Sequence, residues 1–281
     1  MVNVSKTYFE VLNWASSFLE KKNEEVYVAE YLLLERKKWT KTELLLNFKK
    51  VMPIEEIISY KNDINQIIKH VPVQYLIGSC EFYGRRFKVS EDTLIPRPET
   101  EELVEMICQE NEDSSKLVVD IGTGTGIIGI SLKLEKPSWE VVALDISKGA
   151  LNVAEENAAL LDASINFVES DVLSHFKHNS SIDILVSNPP YISYDEWEVM
   201  DQSVREFEPK TALFAENNGL AIYQKIAVEA KEHLAENGKI YLEIGYLQGK
   251  QVADIFQEQF PQKKVEIIQD MNRQDRMIKV I

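Results

Sequence analysis

Two kinds of hydrophobic spacing divide the chain. Up to residue 70, apolar positions recur every three or four residues. Val4, Tyr8, Val11, Leu12, Ala15, Phe18 and Leu19 mark one helix with a single buried stripe. Val26, Ala29, Leu32 and Leu33 mark a second, which ends on the basic Arg36, Lys37 and Lys38. Thr40 to Glu43 fits a capping box ahead of Leu44, Leu45 and Leu46. Pro53 suits the first turn of a fourth helix, with Ile54, Ile57, Ile58, Ile64, Ile67 and Ile68 as its apolar face. From Lys116 onward the spacing changes, and short apolar runs alternate with helix-spaced stretches. Strands are predicted at 117–121, 140–145, 165–168, 182–187, 239–245, 264–269 and 276–281, and helices at 126–135, 148–161, 219–236 and 248–258. That alternation predicts a parallel sheet with helices on both faces. Only Asp270 to Asp275 separate the last two strands, too few residues for a helical crossover, so these two should pair as an antiparallel hairpin at the sheet edge.

Between the two regions, Val73–Gly78 and Glu81–Val89 read as short strands with a Gly-punctuated turn. Pro96 and Pro98 then stiffen the approach to a helix running to about Cys108, with Glu99 and Glu101 in its first turn. The expected organisation is a helical domain over 1–70, a β-hairpin connector over 71–98 and an α/β domain over 99–281. Nothing in the first domain carries chemistry; its basic corner reads as a solvated face or as a partner-docking surface.

Composition narrows the setting. The chain of 281 residues is 44% hydrophobic and 27% charged, and no apolar run approaches the ~18 residues of a membrane span. Met1 to Lys6 lacks the basic-then-apolar order of a secretory signal. With Cys80 and Cys108 the only cysteines, a reducing, cytoplasmic setting is expected. The net charge of −15 is uneven: residues 1–70 hold 11 Lys and Arg against 10 Asp and Glu, the remainder 20 against 36. An acidic α/β domain repels phosphate backbones, so no direct nucleic-acid partner is expected.

The candidate chemistry lies at two strand ends. After Ile182–Ser187, two consecutive prolines stop the strand, because neither donates a ladder hydrogen bond. Asn188 is thereby presented at a carboxyl end, where open α/β sheets hold ligands. The Asn188 side-chain oxygen and the Pro189 and Pro190 carbonyls are acceptors, and Tyr191 adds an aromatic face. Such a group suits a planar NH2, in a carboxamide or an exocyclic amine; by itself Asn-Pro-Pro also reads as a turn. The second stretch is Asp120 to Gly126, with Gly122, Thr123, Gly124 and Thr125, after the strand Leu117–Val119. Its glycines permit a tight turn and close ligand approach, with helix amides aimed into the site. Gly124, Gly126 and Gly129 also satisfy the dinucleotide pattern, and Asp145 would take ribose hydroxyls in either case.

Three features favour S-adenosylmethionine over a nicotinamide dinucleotide. Asp120 is awkward beneath a pyrophosphate but tolerable beside a methionine head group. Asp171 is placed to accept from an adenine amine, though as a lone Asp it reads equally as a loop cap. The Asn188 strand should adjoin the first strand, beside the reactive end of the cofactor. His175 and His178 flank a loop and are expected to be exposed.

With both stretches placed, the chain resembles the release factor glutamine methyltransferases, protein-(glutamine-N5) methyltransferases of the HemK/PrmC type, over essentially its whole length. Pro72–Gly78, Phe82–Gly84, Leu94–Glu101, Asp120–Gly126, Asn188–Tyr191 and Glu208–Leu213 carry the resemblance. It implies a Rossmann-like class I methyltransferase sheet of seven strands behind a small all-α domain. It further implies S-adenosyl-L-methionine at Gly122–Gly126, Asp145, Asp171, Val172 and Asn188, and catalysis by Asn188, Pro189 and Tyr191. Its implied substrate is the glutamine of Gly-Gly-Gln in class I peptide chain release factors, bound at Asn188, Pro189, Pro190 and Tyr191 and docked through the N-terminal domain. A ribosomal-protein glutamine methyltransferase shares this chemistry, and an adenine-N6 nucleic-acid methyltransferase shares Asn-Pro-Pro-Tyr. Two positions depart from the pattern: Val172 replaces a frequent aromatic, implying a less stacked adenine pocket, and Arg273 stands where relatives often have Gly.

Overall fold

A computed structural model describes residues 6–281, so Val4 of the first stripe lies outside the described residues. Thr40 and Glu43 form the expected reciprocal capping box that opens α3 (Lys41–Asn47), and Thr7 and Glu10, not singled out in the sequence, do the same for α1 (Tyr8–Glu20). With α2 (Tyr27–Lys37) and α4 (Ile54–Ile67), whose N-cap is Pro53, these helices bury Val11, Ala15, Leu19, Leu32, Leu33, Leu44 and Ile64 in one core. The isoleucine stripe of α4 is narrower than its spacing suggests. Ile57, Ile64 and Ile67 are buried with Tyr60, while Ile54 and Ile58 are exposed.

Val73–Ile77 form a helix, α5, where a strand was expected. Pro72 starts it, Gly78 stops it in the left-handed region, and Val73, Leu76 and Ile77 pack on the helical core. Tertiary burial overrides the strand preference of these side chains. The chain accordingly divides at Gly78: one unit is the stretch up to Gly78 with Asp201–Phe207, the other Ser79–Met200 with Glu208–Ile281.

The second unit starts with a hairpin, β1 (Ser79–Phe82) and β2 (Arg85–Lys88), followed by α6 (Pro98–Glu110). Then come β3 (Leu117–Ile121), α7 (Ile127–Glu135), β4 (Glu140–Asp145), α8 (Lys148–Leu160), β5 (Asn166–Glu169) and β6 (Ile182–Ser187). Two short helices follow, α9 (Gln202–Phe207), which belongs to the first unit, and α10 (Lys210–Leu213). The remainder is α11 (Glu216–Gly219), α12 (Ala221–His233), β7 (Leu234–Glu243), α13 (Gly249–Gln259), β8 (Val265–Gln269) and β9 (Asp275–Val280). The seven strands are ordered β5-β4-β3-β6-β7-β9-β8, parallel except that β9 runs antiparallel to both β7 and β8. The hairpin expected from the short 270–275 link is present.

Every residue of β3 is buried, as in a strand covered on both faces. Leu117, Val119 and Ile121 join the core beneath α12 and α13, while Val118 joins the one beneath α6 and α7. β7 starts five residues earlier than expected. Ile182 pairs with Leu234 and Ile184 with Lys239, an irregularity that lets the strand leave α12 directly. Arg273, the departure from the family pattern, holds φ 61° in the 270–275 turn, a backbone setting that favours Gly.

The order reverses between β3 and β6: the chain winds outward through β4 and β5 on one side and through β7 on the other. Open α/β sheets bind ligands outside the strand ends at such a switch point.

Candidate active site

The carboxyl ends of β3, β4, β5 and β6 border a cleft of about 340 Å3. Gly122, Thr123, Gly124, Thr125, Asp145, Asp171, Val172, Asn188, Pro189 and Pro190 all lie on its wall. Gly126 and Tyr191 sit behind it.

The turn after β3 is built by its glycines. Gly122 and Gly124 hold φ of 68° and 55°, and no atom lies within 4 Å of where a Cβ on either would stand. Both therefore face open cleft, a cradle that side chains would fill. Gly126 has a packing role instead, since a Cβ there would meet Ile130 at 2.7 Å and Ala154 at 3.2 Å.

Four amides of this turn are spent within the protein. Gly122 and Thr123 donate to the Leu144 carbonyl, Gly126 to the Thr123 carbonyl, and Gly124 to the Asp145 carboxylate at 2.8 Å. These four are not free to cradle a phosphate; the amides of Thr125 and of the first turn of α7, where Ile127 and Ile128 line the cleft, are not among them. A pyrophosphate would also meet the Asp145 carboxylate, whose pKa burial already raises. Asp145 and Asp171 form an acceptor set that suits a ligand's hydroxyl and amine donors.

Asp120 does not meet the cleft either. It is fully buried under the turn, where Oδ2 accepts from the Thr123 hydroxyl at 2.6 Å and the Gly129 amide at 3.0 Å, and Oδ1 has no partner among the described residues. Burial pushes its pKa up to about 6. Its role is to brace the turn, not to face a head group. Asp171 lines the cleft with Oδ2 held by Lys225 at 2.6 Å. Val172 has φ 57°, an unusual setting for a β-branched residue, and its buried side chain joins the core. Neither His175 nor His178 lines the cleft; the first is exposed, the second half-buried.

Pairing of β6 with β3 and β7 delivers Asn188. Ser187 is opposite Ile121 on one side and Leu242 on the other, so Asn188 emerges beside Gly122 and Glu243. Its Nδ2 donates to Thr100 Oγ1 at 3.3 Å, and Thr100 donates to Glu243 Oε2 at 2.7 Å. Glu243 is buried at the end of β7, and that burial pushes its carboxyl up to about 7.

Tyr191 is directed away from the wall. Its ring packs on the core and lies 3.4 Å from where a Cβ on Gly245 would stand, while its carbonyl accepts from Gln248 Nε2 at 2.9 Å. The aromatic surface on the cleft is Tyr194 stacked on Phe214, ring centroids 4.9 Å apart. Asn217 and Asn218 are left-handed in α11 and bring Gly219 so close that a Cβ on it would lie 1.9 Å from the Tyr191 carbonyl oxygen.

Thr100, Arg97, Tyr194, Phe214 and Glu243 escaped the residue-by-residue reading. Arg97 and Ile95 both bond Glu208, at 2.5 and 3.1 Å, which ties the Leu94–Glu101 segment to the Glu208–Leu213 segment. Those two segments were visible only as family-typical stretches; no spacing rule pairs residues 111 positions apart.

The chain matches two families, "Methyltransferase small domain" over residues 98–214 and "PrmC N-terminal domain" over residues 10–78. Among solved structures, a methyltransferase from Pyrococcus furiosus superposes with TM-score 0.53 at 14% identity, covering 71% of this chain and 89% of that one. A T. thermophilus 16S rRNA N2 G1207 methyltransferase, in complex with AdoMet and guanosine, gives 0.51 at 16%, covering 72% and 49%. Sheet order, switch-point cleft and family match define a Rossmann-like class I methyltransferase. The release factor glutamine methyltransferase of Enterococcus faecalis is 52% identical over 274 residues, 98% of this chain and 99% of the relative. That of Lactococcus lactis is 58% identical over 209 residues, 74% and 77%. The chain belongs to the release factor glutamine methyltransferase family.

Proposed function

We propose that the protein transfers a methyl group from S-adenosylmethionine to the side-chain nitrogen, N5, of the glutamine in the Gly-Gly-Gln tripeptide of peptide chain release factors. The names of its relatives support the glutamine and the release factor. The observation that carries the reading is the Asn188 amide on the cleft wall, its NH2 turned back to Thr100 beside the glycine cradle of β3.

When bound, S-adenosylmethionine supplies a methyl on a sulfonium, already a good leaving group. The residues around Gly122 and Gly124 hold it by shape, Asp145 by accepting from ribose hydroxyls, and Asp171 by accepting at its remaining oxygen. Val172 lines the adenine end without an aromatic stack.

The harder partner is the nucleophile. An amide nitrogen shares its lone pair with its carbonyl and attacks poorly. Asn188 Oδ1 and the Pro189 carbonyl accept its two hydrogens, which fixes its orientation and favours positive charge growing on nitrogen. Pro190 contributes rigidity. Tyr191 acts from behind, by holding the loop on the core, and the flat surface for the substrate is Tyr194 on Phe214. No strong base is required before transfer, because the N–H turns acidic only as the new N–CH3 bond forms and the S–CH3 bond breaks; the proton then passes to water in the cleft, leaving a neutral N-methyl amide and S-adenosylhomocysteine. On the same reading, the helical unit matched over residues 10–78 docks the release factor.

The test is incubation with labelled S-adenosylmethionine and a purified release factor, then mass mapping. A single methyl on the Gly-Gly-Gln glutamine supports the reading. Label appearing only on a ribosomal protein or on nucleic acid, with none on the factor, refutes it.

A further inference from the structure

Behind Asn188 lies a buried polar chain that the reaction as described leaves unused. Thr100 and Glu243 are 1% and 2% exposed. Thr100 is placed by the first turn of α6, and Glu243 by the register of β7 on β6. Neither is adjacent to Asn188 in sequence, and three separate elements converge on one amide.

The chemistry of this chain is directional. A hydroxyl has one hydrogen, and that of Thr100 goes to the Glu243 carboxylate at 2.7 Å. What Thr100 turns toward Asn188 is therefore a lone pair. Only the NH2 end of the Asn188 amide can meet it, as the 3.3 Å contact from Nδ2 records. The same amide faces Glu243, a second acceptor. With NH2 turned toward two acceptors, the amide oxygen is left to the opposite side, which is the cleft. The reversed rotamer would set oxygen against oxygen in a buried space and leave both without a donor.

The backbone that carries Glu243 is itself held. Tyr223 donates to the Glu243 backbone carbonyl at 2.8 Å. Arg276 contributes positive charge nearby, although its own hydrogen bonds run to Asp270 and the Ile244 carbonyl. Glu99 and Tyr191 complete the charged and titratable surroundings on the α6 and β6 sides.

We propose that Thr100 and Glu243 are positioning residues for methyl transfer: together they select the rotamer of Asn188 that points its oxygen, and not its nitrogen, at the substrate amide. The inference rests on the role of Asn188 proposed above. A carboxylate placed here acts as an acceptor anchor two bonds removed from the reacting nitrogen.

The experiment compares full-length Thr100→Val, Thr100→Ser, Glu243→Gln and Asn188→Ala by steady-state methyl transfer to a purified release factor. S-adenosylmethionine affinity and melting temperature are measured alongside. Thr100→Val keeps shape but loses the hydroxyl, and is expected to lower kcat on the order of tenfold or more, with cofactor affinity changed by less than about twofold. Thr100→Ser is expected to recover most of that loss. Glu243→Gln can present its own NH2 to Thr100 and reverse the chain, so it too should lower kcat; it keeps the volume and carries the comparison if the valine variant does not fold. Equal kcat losses in the Ser and Val variants, or a kcat loss matched by loss of cofactor affinity, would overturn the proposal. So would full turnover in Thr100→Val while Asn188→Ala is inactive. Full turnover in Asn188→Ala would instead refute the role assigned to Asn188 itself.

Discussion

The glycine turn after β3 and the Asn-Pro-Pro-Tyr loop after β6 end neighbouring strands and border the same cleft, yet they are held in opposite ways. The turn closes on itself and on the next strand, through amides bonded to Leu144, Thr123 and Asp145. Its demands are local: positive φ at Gly122, Gly124 and Gly126, and an acidic brace below. The Asn188 loop has no such closure. Two prolines remove its N–H groups, and its position comes from distant residues: Thr100, 88 positions from Asn188, Gln248, 57 positions from Tyr191, and Gly219 packed on the Tyr191 carbonyl. A ligand cradle can be written in seven consecutive residues, whereas an oriented amide needs a scaffold.

The largest expected effect breaks the second region alone. Asn188→Ala should lower kcat by about 10²–10³-fold, the range for removing one preorganised polar group, with cofactor affinity retained. Calorimetric titration beside a rate assay checks this; parallel loss of both contradicts it. Next comes Gly219→Ala, which adds left-handed strain of roughly 1–2 kcal/mol to a contact with the Tyr191 carbonyl. Its melting temperature should fall, and turnover should fall with the displaced loop.

The corresponding change in the turn should be milder and of another kind. Gly124→Ala has room for its Cβ but keeps an unfavourable φ, costing about 1 kcal/mol of stability. Because that methyl enters the cradle, the cofactor dissociation constant should rise while kcat at saturation is largely kept. An equal loss of kcat at saturation would show that the two regions are not separable.

An effect of a different kind concerns pH. Burial raises the carboxyls of Asp120, to about 6, and Glu243, to about 7. A carboxyl raised on folding contributes stability that is complete below its unfolded value, near ~4, and lost as pH rises through its folded value. Melting temperature should thus decline between about pH 4 and 7 on account of these two groups. Asp120→Asn should flatten the lower part of that decline and Glu243→Gln the upper part. An unchanged slope in both variants would contradict the burial described here.

Much of this was legible beforehand. The capping box at Thr40 and Glu43, the apolar run Leu117–Val119 that starts β3, the strand stopped by Pro189 and the closing hairpin all follow from rules that span a few residues, and local rules are what a sequence displays. The strand preference of Val73–Ile77 misled because docking on the helical core outweighs propensity over five residues. Tyr191 and Asp120 were rightly seen as belonging to the site's neighbourhood but assigned to the wrong side of its wall, since a residue's number does not say which way its side chain leaves the backbone.

By itself, the sequence determined a helical unit, a doubly wound sheet, and the two strand ends where ligand chemistry concentrates. Only the tertiary structure decided that four of the turn's amides are already occupied, that Tyr194 and Phe214 supply the aromatic wall, and which end of the Asn188 amide meets Thr100. The reason is physical: backbone φ and strand termination are set by neighbours along the chain. The direction of a hydrogen bond is set by whichever partner the fold brings near, and here those partners are 88 and 143 residues apart.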